Sequence, residues 1–464
     1  MKRITILVSA ACMALAGCER GSDANGDATH DNGDAPPPYA SQYRPLPSDA
    51  TLLQGATILT GTGERLETAD VLIRDGKIAE VGTGISADDA QVVNAAGMWI
   101  TPGIIDVHSH LGVYPAPSVE ANADGNEISA PNTAEVWAEH SVWPQDPGFV
   151  TALAGGITTL QILPGSANLF GGRSVTVKNL PGRSVQDMKF PGAPHGLKMA
   201  CGENPKRVYG IGRAVAPSTR MGNVAGYRKA WIAAEDYRNK MEKADNGDGD
   251  APIRDLQLET LVGVLDGEIL VHNHCYRADE MAVMIDVARE FGYRIAAFHH
   301  AVEAYKIPDL LAENDICAAV WADWWGFKME AYDGIRENAA LVARAGACAI
   351  VHSDDERGIQ RLNQETAKIV GAAARVDIDI APEQAIRWIT LNPARSLGIA
   401  DSVGSLEAGK MADIAVWDRD PFSVYARVKR VYIDGGLAYD RDDPSVNPVT
   451  DFSLGTAAMT GGAK

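Results

Sequence analysis

Basic residues are scarce in this sequence of 464 residues. It contains 42 lysines and arginines against 61 aspartates and glutamates, which gives a formal net charge of −19 at neutral pH. A protein that binds nucleic acid needs a basic surface to contact the phosphates, and no such surface is evident here. We therefore exclude nucleic acid as a partner, although the acidity alone identifies no substrate.

Cysteine is also rare, with six residues in the chain, and two of these lie near the N-terminus. The other four are widely spaced and form no Cys-x-x-Cys pair; they are Cys201, Cys275, Cys317 and Cys348. A domain this large, with 46% hydrophobic residues, can fill its own core, so a disulfide framework is not expected. The pattern predicts buried free thiols.

A long hydrophobic run is missing from the N-terminus, where the mostly apolar stretch from Ile4 to Ala14 is too short for a transmembrane helix. Lys2 and Arg3 precede this stretch, and a short basic region before an apolar one is typical of a targeting segment. Leu15-Ala16-Gly17-Cys18 resembles the lipobox of a bacterial lipoprotein signal, which implies a signal peptide over residues 1–17 and lipidation of Cys18. A secretory signal with a chance cysteine is the alternative. By the same resemblance, Glu19 after the cysteine implies that the lipoprotein is held in the outer membrane of a Gram-negative host, facing the periplasm.

The segments on either side of a long middle part differ from it in composition. Residues 18–48 are rich in Gly, Asp, Asn and Pro and predict a flexible tether. Residues 49–100 and 401–443 both contain strand-like runs separated by Asp-Gly turns, which predicts one small β-sandwich built from both ends of the chain. The tail, residues 444–464, is polar and is predicted to be poorly ordered.

Residues 101–400 alternate short apolar strands with helical stretches, which favours an α/β fold, a TIM (β/α)₈ barrel. An open doubly wound sheet is less favoured, because no Gly-x-Gly-x-x-Gly follows the first strand. Residues 240–252 are interpreted as a loop. The predicted helices include Ala278–Phe291, Asp333–Ala345 and Pro382–Thr390.

The stretch Trp99–Gly112, with the sequence WITPGIIDVHSHLG, predicts a buried strand that ends in a metal site. Side chains alternate along a strand, so His108 and His110 project to one face and can bind the same divalent ion. A pair of surface histidines after a core strand is the alternative interpretation. Further residues that can ligate a metal, at the ends of later strands, favour the metal site.

Later strand ends carry residues that can ligate a metal, and barrel enzymes place their chemistry at these ends. Lys198 lies among apolar neighbours, so it either pairs with a carboxylate, extends to solvent or is carboxylated by CO₂ to bridge two metals. The other strand ends carry His272 and His274, His299 and His300, and Asp354. A mixed set of nitrogen and oxygen ligands suits zinc, with manganese, iron or nickel as alternatives.

Two motifs carry a resemblance to a known family. Residues 101–110 read TPGIIDVHSH, and a second region reads TLNPAR at 390–395 and GSLEAGKMAD at 404–413. In these residues the chain resembles the amidohydrolase superfamily, most closely its imidazolonepropionase-like and metal-dependent prolidase-like branch. The resemblance spans residues 52–441 and implies a TIM barrel with a small β-sandwich domain.

The resemblance also implies a set of metal ligands. They are His108, His110, Lys198 (as an N6-carboxylated bridge between two ions), His274, His300 and Asp354. The alternatives that stay open are Glu203 for Lys198, His272 for His274, His299 for His300 and Asp355 for Asp354.

The implied activity is hydrolysis of an amide C–N bond, in a dipeptide or a cyclic amide. Two divalent ions, zinc by preference, would share a bridging hydroxide, and Asp354 would act as the general base. Tyr209 and Arg277 are predicted to bind a substrate carboxylate, or else to make structural contacts. The alternative functions are a deaminase or lactonase of the same superfamily, and a non-catalytic surface lipoprotein that binds a ligand. The sequence specifies neither the substrate nor the oligomeric state.

Overall fold

The computed structural model describes residues 39–450. The predicted signal peptide, the predicted lipidation site Cys18, most of the predicted tether and residues 451–464 lie outside this range. Within it, no helix combines the length and the apolar character needed to cross a membrane.

Sixteen strands occur in the described residues. In chain order they are β1 (Thr51–Leu59), β2 (Arg65–Arg74), β3 (Lys77–Gly82), β4 (Gln91–Asn94), β5 (Trp99–Pro102), β6 (Ile104–Ser109), β7 (Ile157–Ile162), β8 (Phe170–Lys178), β9 (Gly196–Ala200), β10 (Leu270–Cys275), β11 (Ile295–His300), β12 (Cys317–Val320), β13 (Cys348–Val351), β14 (Ile414–Trp417), β15 (Val428–Ile433) and β16 (Gly436–Asp440). They form two sheets, and the predicted combination of a TIM barrel with a small β-sandwich domain is confirmed.

The sandwich domain joins the two ends of the chain in one sheet, with the strand order β16-β15-β14-β5-β1-β2-β3 and β4 paired to β1. The junction is the antiparallel pair of β5 and β14, in which Thr101 lies opposite Ala415. Both predicted Asp-Gly turns are present, between β2 and β3 and between β15 and β16. Asp75 and Asp434 adopt positive φ values of 50° and 48°, as two-residue hairpin turns of this kind require.

The barrel sheet runs from β6 to β13 in sequence order, but one strand departs from the regular alternation. β8 is antiparallel to both of its neighbours, β7 and β9. Only residues 163–169 connect β7 to β8, and a crossover between parallel strands needs a dozen residues or more. The chain therefore returns directly from β7 to β8, without a helix between these two strands.

The last strand meets the first at the carboxyl ends of both. The backbone N–H of Asp354 donates to the carbonyl of His108 at 3.0 Å. Ser353 donates its hydroxyl to the buried carboxylate of Asp106. These contacts join the two ends of the barrel sheet at the position of the predicted ligands.

The α-helices lie in the connections between strands. They are α1 (Pro147–Ala154), α2 (Val185–Met188), α3 (Glu203–Pro205), α4 (Arg220–Asp245), α5 (Leu256–Leu265), α6 (Ala278–Phe291), α7 (Pro308–Glu313), α8 (Asn338–Arg344), α9 (Leu362–Ala374), α10 (Pro382–Ala385) and α11 (Leu391–Ser396). Short 3₁₀ turns are Glu120–Asn122, Ala138–His140, Ala304–Lys306, Met329–Ala331, Gly358–Arg361 and Ile386–Ile389, and Lys206–Ile211 is a π-helical turn.

The helices differ in how well the sequence predicted them. α6 matches its predicted bounds, whereas α8 begins later than predicted and α10 continues as a 3₁₀ turn. α4 was not predicted, and its last turn occupies the start of the interpreted loop at 240–252. It buries Tyr227, Trp231, Ala234 and Tyr237 along one face, at successive spacings of four, three and three residues, which are typical of a helix that packs one side against a core.

The stretch Trp99–Gly112 forms two strands in different sheets instead of one. β5 belongs to the sandwich and β6 to the barrel, and Gly103 separates them. A Cβ at Gly103 would lie 2.2 Å from the Oγ1 atom of Thr158, so only glycine fits at this joint. The sandwich strand thus leads directly into the strand that carries His108 and His110.

Two disulfide bonds contradict the prediction of free thiols. Cys201 pairs with Cys275, and Cys317 pairs with Cys348. Each pair joins adjacent barrel strands at or directly after a strand end, where the Cα atoms are 5.2 Å and 4.4 Å apart, within the range that a disulfide requires. The prediction failed because residues far apart in sequence become neighbours only when the sheet forms.

The end of the predicted tether is packed against the barrel domain. The hydroxyl of Ser41 donates to the carbonyl of Lys189 at 2.6 Å, and the N–H of Gln42 donates to the carbonyl of Gln186 at 2.9 Å. Tyr43 donates its hydroxyl to Asp434. Residues 41–43 therefore contact the folded body, although they lie within the stretch that is predicted to be a flexible tether.

Candidate metal centre

The first barrel strand places two histidines at the mouth of the barrel. β6 is buried along its whole length. Its carboxyl end holds His108 and continues to His110, whose Nδ1 atom lies 2.8 Å from the carbonyl oxygen of Leu163. That contact fixes the ring of His110 and leaves its Nε2 atom facing the mouth.

Asp354 faces these histidines from the loop after β13. One carboxylate oxygen lies 3.4 Å from His108 Nε2 and 3.2 Å from His110 Nε2. The other lies 3.8 Å from His300 Nδ1, and the ring of His274 is 4.5 Å from that of His300. The structure thus brings together His108, His110, His300 and Asp354, with His274 beside them.

Lys198 on β9 reaches the same cluster. Its side chain is buried, and its Nζ atom lies 3.2 Å from His108 Nε2. Burial lowers the pKa of Lys198 to about 7, and the negative charge of Asp354 opposes this shift only in part. The lysine therefore lies where the bridging ligand was predicted.

Glu203 and Asp355, two of the alternative ligands, do not join the cluster. The carboxylate of Glu203 lies 3.9 Å from the ammonium of Lys328. Asp355 instead accepts a hydrogen bond from the backbone N–H of Arg357 at 2.9 Å and caps a turn. Neither is among the described side chains that converge as a possible ion site.

His272 and His299 lie deeper in the barrel than the cluster. His299 Nδ1 is 2.9 Å from His108 Nδ1, and His299 Nε2 is 2.9 Å from His272 Nδ1. Both ring nitrogens of His299 are therefore occupied by other histidines. Of the other two, His300 lies beside Asp354, and the ring of His274 lies against that of His300.

The two residues that were predicted to bind a substrate carboxylate make contacts within the protein. Tyr209 is fully buried and donates its hydroxyl to the carbonyl of Ala130 at 2.6 Å. Arg277 forms a bidentate pair with Asp279, with both distances at 2.9 Å. Structural contacts thus occupy both side chains, and their role in substrate binding stays a prediction.

His352 is a further member of the cluster that the sequence analysis did not select. Its ring, with those of His108 and His300, forms a group whose ligand atoms lie within 4.8 Å of one another. The spacing of two residues between His352 and Asp354 is the same signal that identified His108 and His110. That spacing could have identified His352 as well.

Burial controls the charge of the histidines. It lowers the pKa values of His108, His274 and His300 well below the ordinary value, and lowers that of His352 to about 3. These rings are therefore neutral near pH 7, as metal ligation requires. The Nδ1 atoms of His274, His300 and His352 are buried and have no hydrogen-bond partner among the described residues. Unpartnered imidazole nitrogens beside a carboxylate fit a divalent ion such as zinc.

Lys328 lies at one side of the mouth. Its ammonium is 3.8 Å from the centre of the Tyr276 ring and donates to Asn204 Oδ1 at 3.2 Å. The Asn204 side chain in turn contacts His274 Nε2 at 3.3 Å. Burial is the main cause that lowers the pKa of Lys328.

An aromatic cavity lies on another side of the mouth. It has a volume of about 360 Å³ and is lined by His300, Trp321, Trp324, Trp325, Ile335 and Arg336, among others. The ring of Trp321 stacks on that of His300 at 4.2 Å and on that of Trp324 at 4.8 Å. A larger cavity of about 520 Å³ lies at the opposite end of the barrel, and none of the candidate ligands lines it.

Comparison with solved structures identifies the family. An amidohydrolase from Thermotoga maritima is 35% identical to this chain, and the match covers 84% of this chain and the whole of that one, with a TM-score of 0.78. The chain belongs to the amidohydrolase family. The sequence profile of the Amidohydrolase family matches residues 262–438 of this amidohydrolase, and the predicted assignment to the superfamily is confirmed.

Two curated relatives resemble this amidohydrolase over most of its length. Amidohydrolase tasK of Hapsidospora irregularis is 34% identical over 83% of this chain, which spans only 41% of that longer protein. An imidazolonepropionase of Mesorhizobium japonicum is 24% identical, over 76% of this chain and 87% of its own length.

Proposed function

We propose that this protein is a metal-dependent amidohydrolase that cleaves an amide C–N bond. The observation that carries the proposal is the convergence of His108, His110, His300 and Asp354 at the carboxyl ends of barrel strands, with buried Lys198 at 3.2 Å from His108. The metal ligands would be His108, His110, His274, His300, Asp354 and carboxylated Lys198, and they would hold two divalent ions, zinc by preference.

The chain's own residues suit the proton transfers of amide hydrolysis. A bound divalent cation supplies a reactive water and polarises the carbonyl of the substrate. Asp354 faces the mouth between His110 and His300, so its carboxylate can accept a proton from the attacking water and deliver it to the leaving nitrogen. Buried Asp106, held by Ser353, fixes the loop that carries Asp354.

The surroundings of the cluster favour a substrate with an apolar part and a carboxylate, such as a dipeptide or an N-acyl amino acid. The tryptophan-lined cavity beside His300 offers apolar surface for one side of the amide. The ammonium of Lys328, which lies near His274 through Asn204, replaces Tyr209 and Arg277 as the group that would bind the carboxylate.

Metal stoichiometry, measured beside hydrolysis of a panel of Xaa-Pro dipeptides, N-acyl amino acids and cyclic amides, tests the proposal. About two metals per chain with cleavage of an amide would support it. One metal per chain would direct the search to deaminase or lactonase substrates of the same superfamily. A protein that binds no metal would contradict the enzymatic function and favour a ligand-binding lipoprotein.

Asp354→Asn gives a second test of the proposed mechanism. Loss of a general base lowers turnover by roughly 10²–10⁴-fold, while the fold, checked by circular dichroism, should remain. Full activity in this variant would remove Asp354 from the proposed role.

We further propose that the protein is exported and attached to a membrane through lipidated Cys18. Two disulfide bonds in the described residues support an oxidising compartment outside the cytosol. The Cys18→Ser variant should be released into the soluble fraction, and continued association with membranes would contradict the lipid anchor.

A further inference from the structure

The barrel interior contains three histidines in a row. His108 Nδ1 contacts His299 Nδ1 at 2.9 Å, and His299 Nε2 contacts His272 Nδ1 at 2.9 Å. All three side chains are buried. Only His108 reaches the mouth, where its Nε2 atom lies 3.2 Å from Lys198 Nζ and 3.4 Å from Asp354 Oδ1.

Each contact between two ring nitrogens needs one hydrogen, and a neutral imidazole carries only one. His108 can bind a metal through Nε2 only if its hydrogen is on Nδ1, from which it donates to His299. His299 must then carry its hydrogen on Nε2 and donate to His272. The tautomers of the three rings are therefore linked. If all the hydrogen bonds ran in the opposite direction, the hydrogen of His108 would be on its Nε2 atom.

We propose that His299 is a positioning residue that holds His108 in the tautomer able to bind a metal, and that neither His299 nor His272 is a ligand. The proposal rests on the metal centre proposed above. It assigns a role to two histidines that the ligand set leaves unused. Outer partners of metal-bound histidines orient the ring and fix its tautomer, and their loss lowers metal affinity by roughly 10–100-fold.

Two substitutions at the same position separate this role from direct ligation. In His299→Gln the amide oxygen can accept a hydrogen bond from His108 while the amide nitrogen donates one to His272, so both hydrogen bonds keep their direction. In His299→Leu both contacts are lost. His195→Gln, a histidine near the opposite end of the barrel, serves as the control for loss of an imidazole.

Zinc affinity, measured by competition with a chromophoric chelator, should fall by roughly 10–100-fold in His299→Leu. It should stay within about threefold of the wild type in His299→Gln and His195→Gln, a margin well below that loss. Equal, large losses in His299→Gln and His299→Leu would show that His299 is itself a ligand and would overturn the proposal. Unchanged affinity in His299→Leu would also overturn it.

The tautomers can be observed without metal, by ¹⁵N NMR of the protein with labelled histidine rings and with the His108 signals identified by their loss in His108→Gln. We expect His108 to carry its hydrogen on Nδ1 in the wild type and in His299→Gln. A hydrogen on Nε2 in the wild type would overturn the proposal, even if His299→Leu does not fold. Neither measurement uses a substrate, so failure to find hydrolysis would affect the proposed function without affecting this result.

Discussion

The two ends of the barrel each bury a lysine, but in opposite surroundings. Lys178, at the end of β8, is fully buried and its ammonium lies 2.9 Å from Asp413 Oδ1 and 3.0 Å from Asp434 Oδ1. Lys198, on the next strand, has its ammonium nitrogen 3.2 Å from the Nε2 atom of a histidine, His108. β8 runs antiparallel to its neighbours, so its carboxyl end delivers Lys178 to the end opposite the mouth.

The comparison separates stabilisation from chemistry. A buried ammonium is costly unless carboxylates pair with it, and Lys178 meets this condition with two carboxylates from the sandwich domain. Lys198 has no such ion pair among the residues that the structure describes, and burial lowers its pKa to about 7. An amine that loses its proton near neutral pH is available for carboxylation, whereas a paired ammonium is not.

Of the substitutions that test this comparison, Lys198→Ala should have the largest effect. Activity and metal binding should fall by more than the roughly 10–100-fold that loss of an outer partner causes, because a bridging ligand is removed. Elemental analysis and turnover check this result, and short carboxylates added to the buffer should restore part of both. Wild-type behaviour would exclude Lys198 from the site and reopen the search for the bridging group.

Lys178→Met should have the complementary effect. Two buried carboxylates would lose their cation, and removal of one partner from a buried ion pair lowers the free energy of unfolding by roughly 3–5 kcal/mol. Urea unfolding measures the loss, and zinc affinity should stay close to that of the wild type. A large loss of zinc affinity in a folded Lys178→Met protein would show that the two ends are coupled.

The disulfides allow a similar comparison of the two ends. Each should contribute roughly 2–4 kcal/mol to stability, so Cys201→Ser/Cys275→Ser and Cys317→Ser/Cys348→Ser should both lower the unfolding midpoint. Only the first pair should also weaken zinc binding, because the N–H of Cys201 donates to the carbonyl of His274. Equal zinc affinities in the two variants would argue against this distinction.

Lys328→Met should have the smallest and most selective effect. A hydrogen bond to a charged group contributes roughly 1.5–3 kcal/mol, and partial exposure places the expected rise in KM at about tenfold. The rise should occur for substrates with a free carboxylate and not for their amide-capped forms. Lys306→Met, which removes a surface ammonium paired with Asp333, is the matched control.

Local patterns predicted the parts of the site that depend on one strand. His108 and His110 follow from strand alternation, and the placement of Lys198, His274 and His300 near Asp354 agrees with the order of strand ends around a barrel. The choice between His299 and His300 needed the structure, because both rings are buried and only their contacts distinguish them.

Features that depend on distant neighbours were not predictable from single segments. The cysteines of each disulfide are 74 and 31 positions apart and meet only through sheet pairing. The contact of Tyr209 depends on the carbonyl of Ala130, which lies in the long connection between β6 and α1. β8 was missed because its glycines weaken the strand pattern, although the short connection before it was a usable signal.

The closure between β6 and β13 has a consequence for the order of folding. β7, β8 and β9 are neighbours in both sequence and space, and such local antiparallel pairs form early because they close short loops. Asp106 and Ser353 are 247 positions apart, so their contact closes almost the whole barrel. The loop that carries Asp354 is fixed by this contact. The proposed chemistry therefore requires that the end of the barrel sheet has contacted β6. A barrel in which β13 has not docked would hold the proposed histidine ligands of β6, β10 and β11 without the carboxylate that faces them.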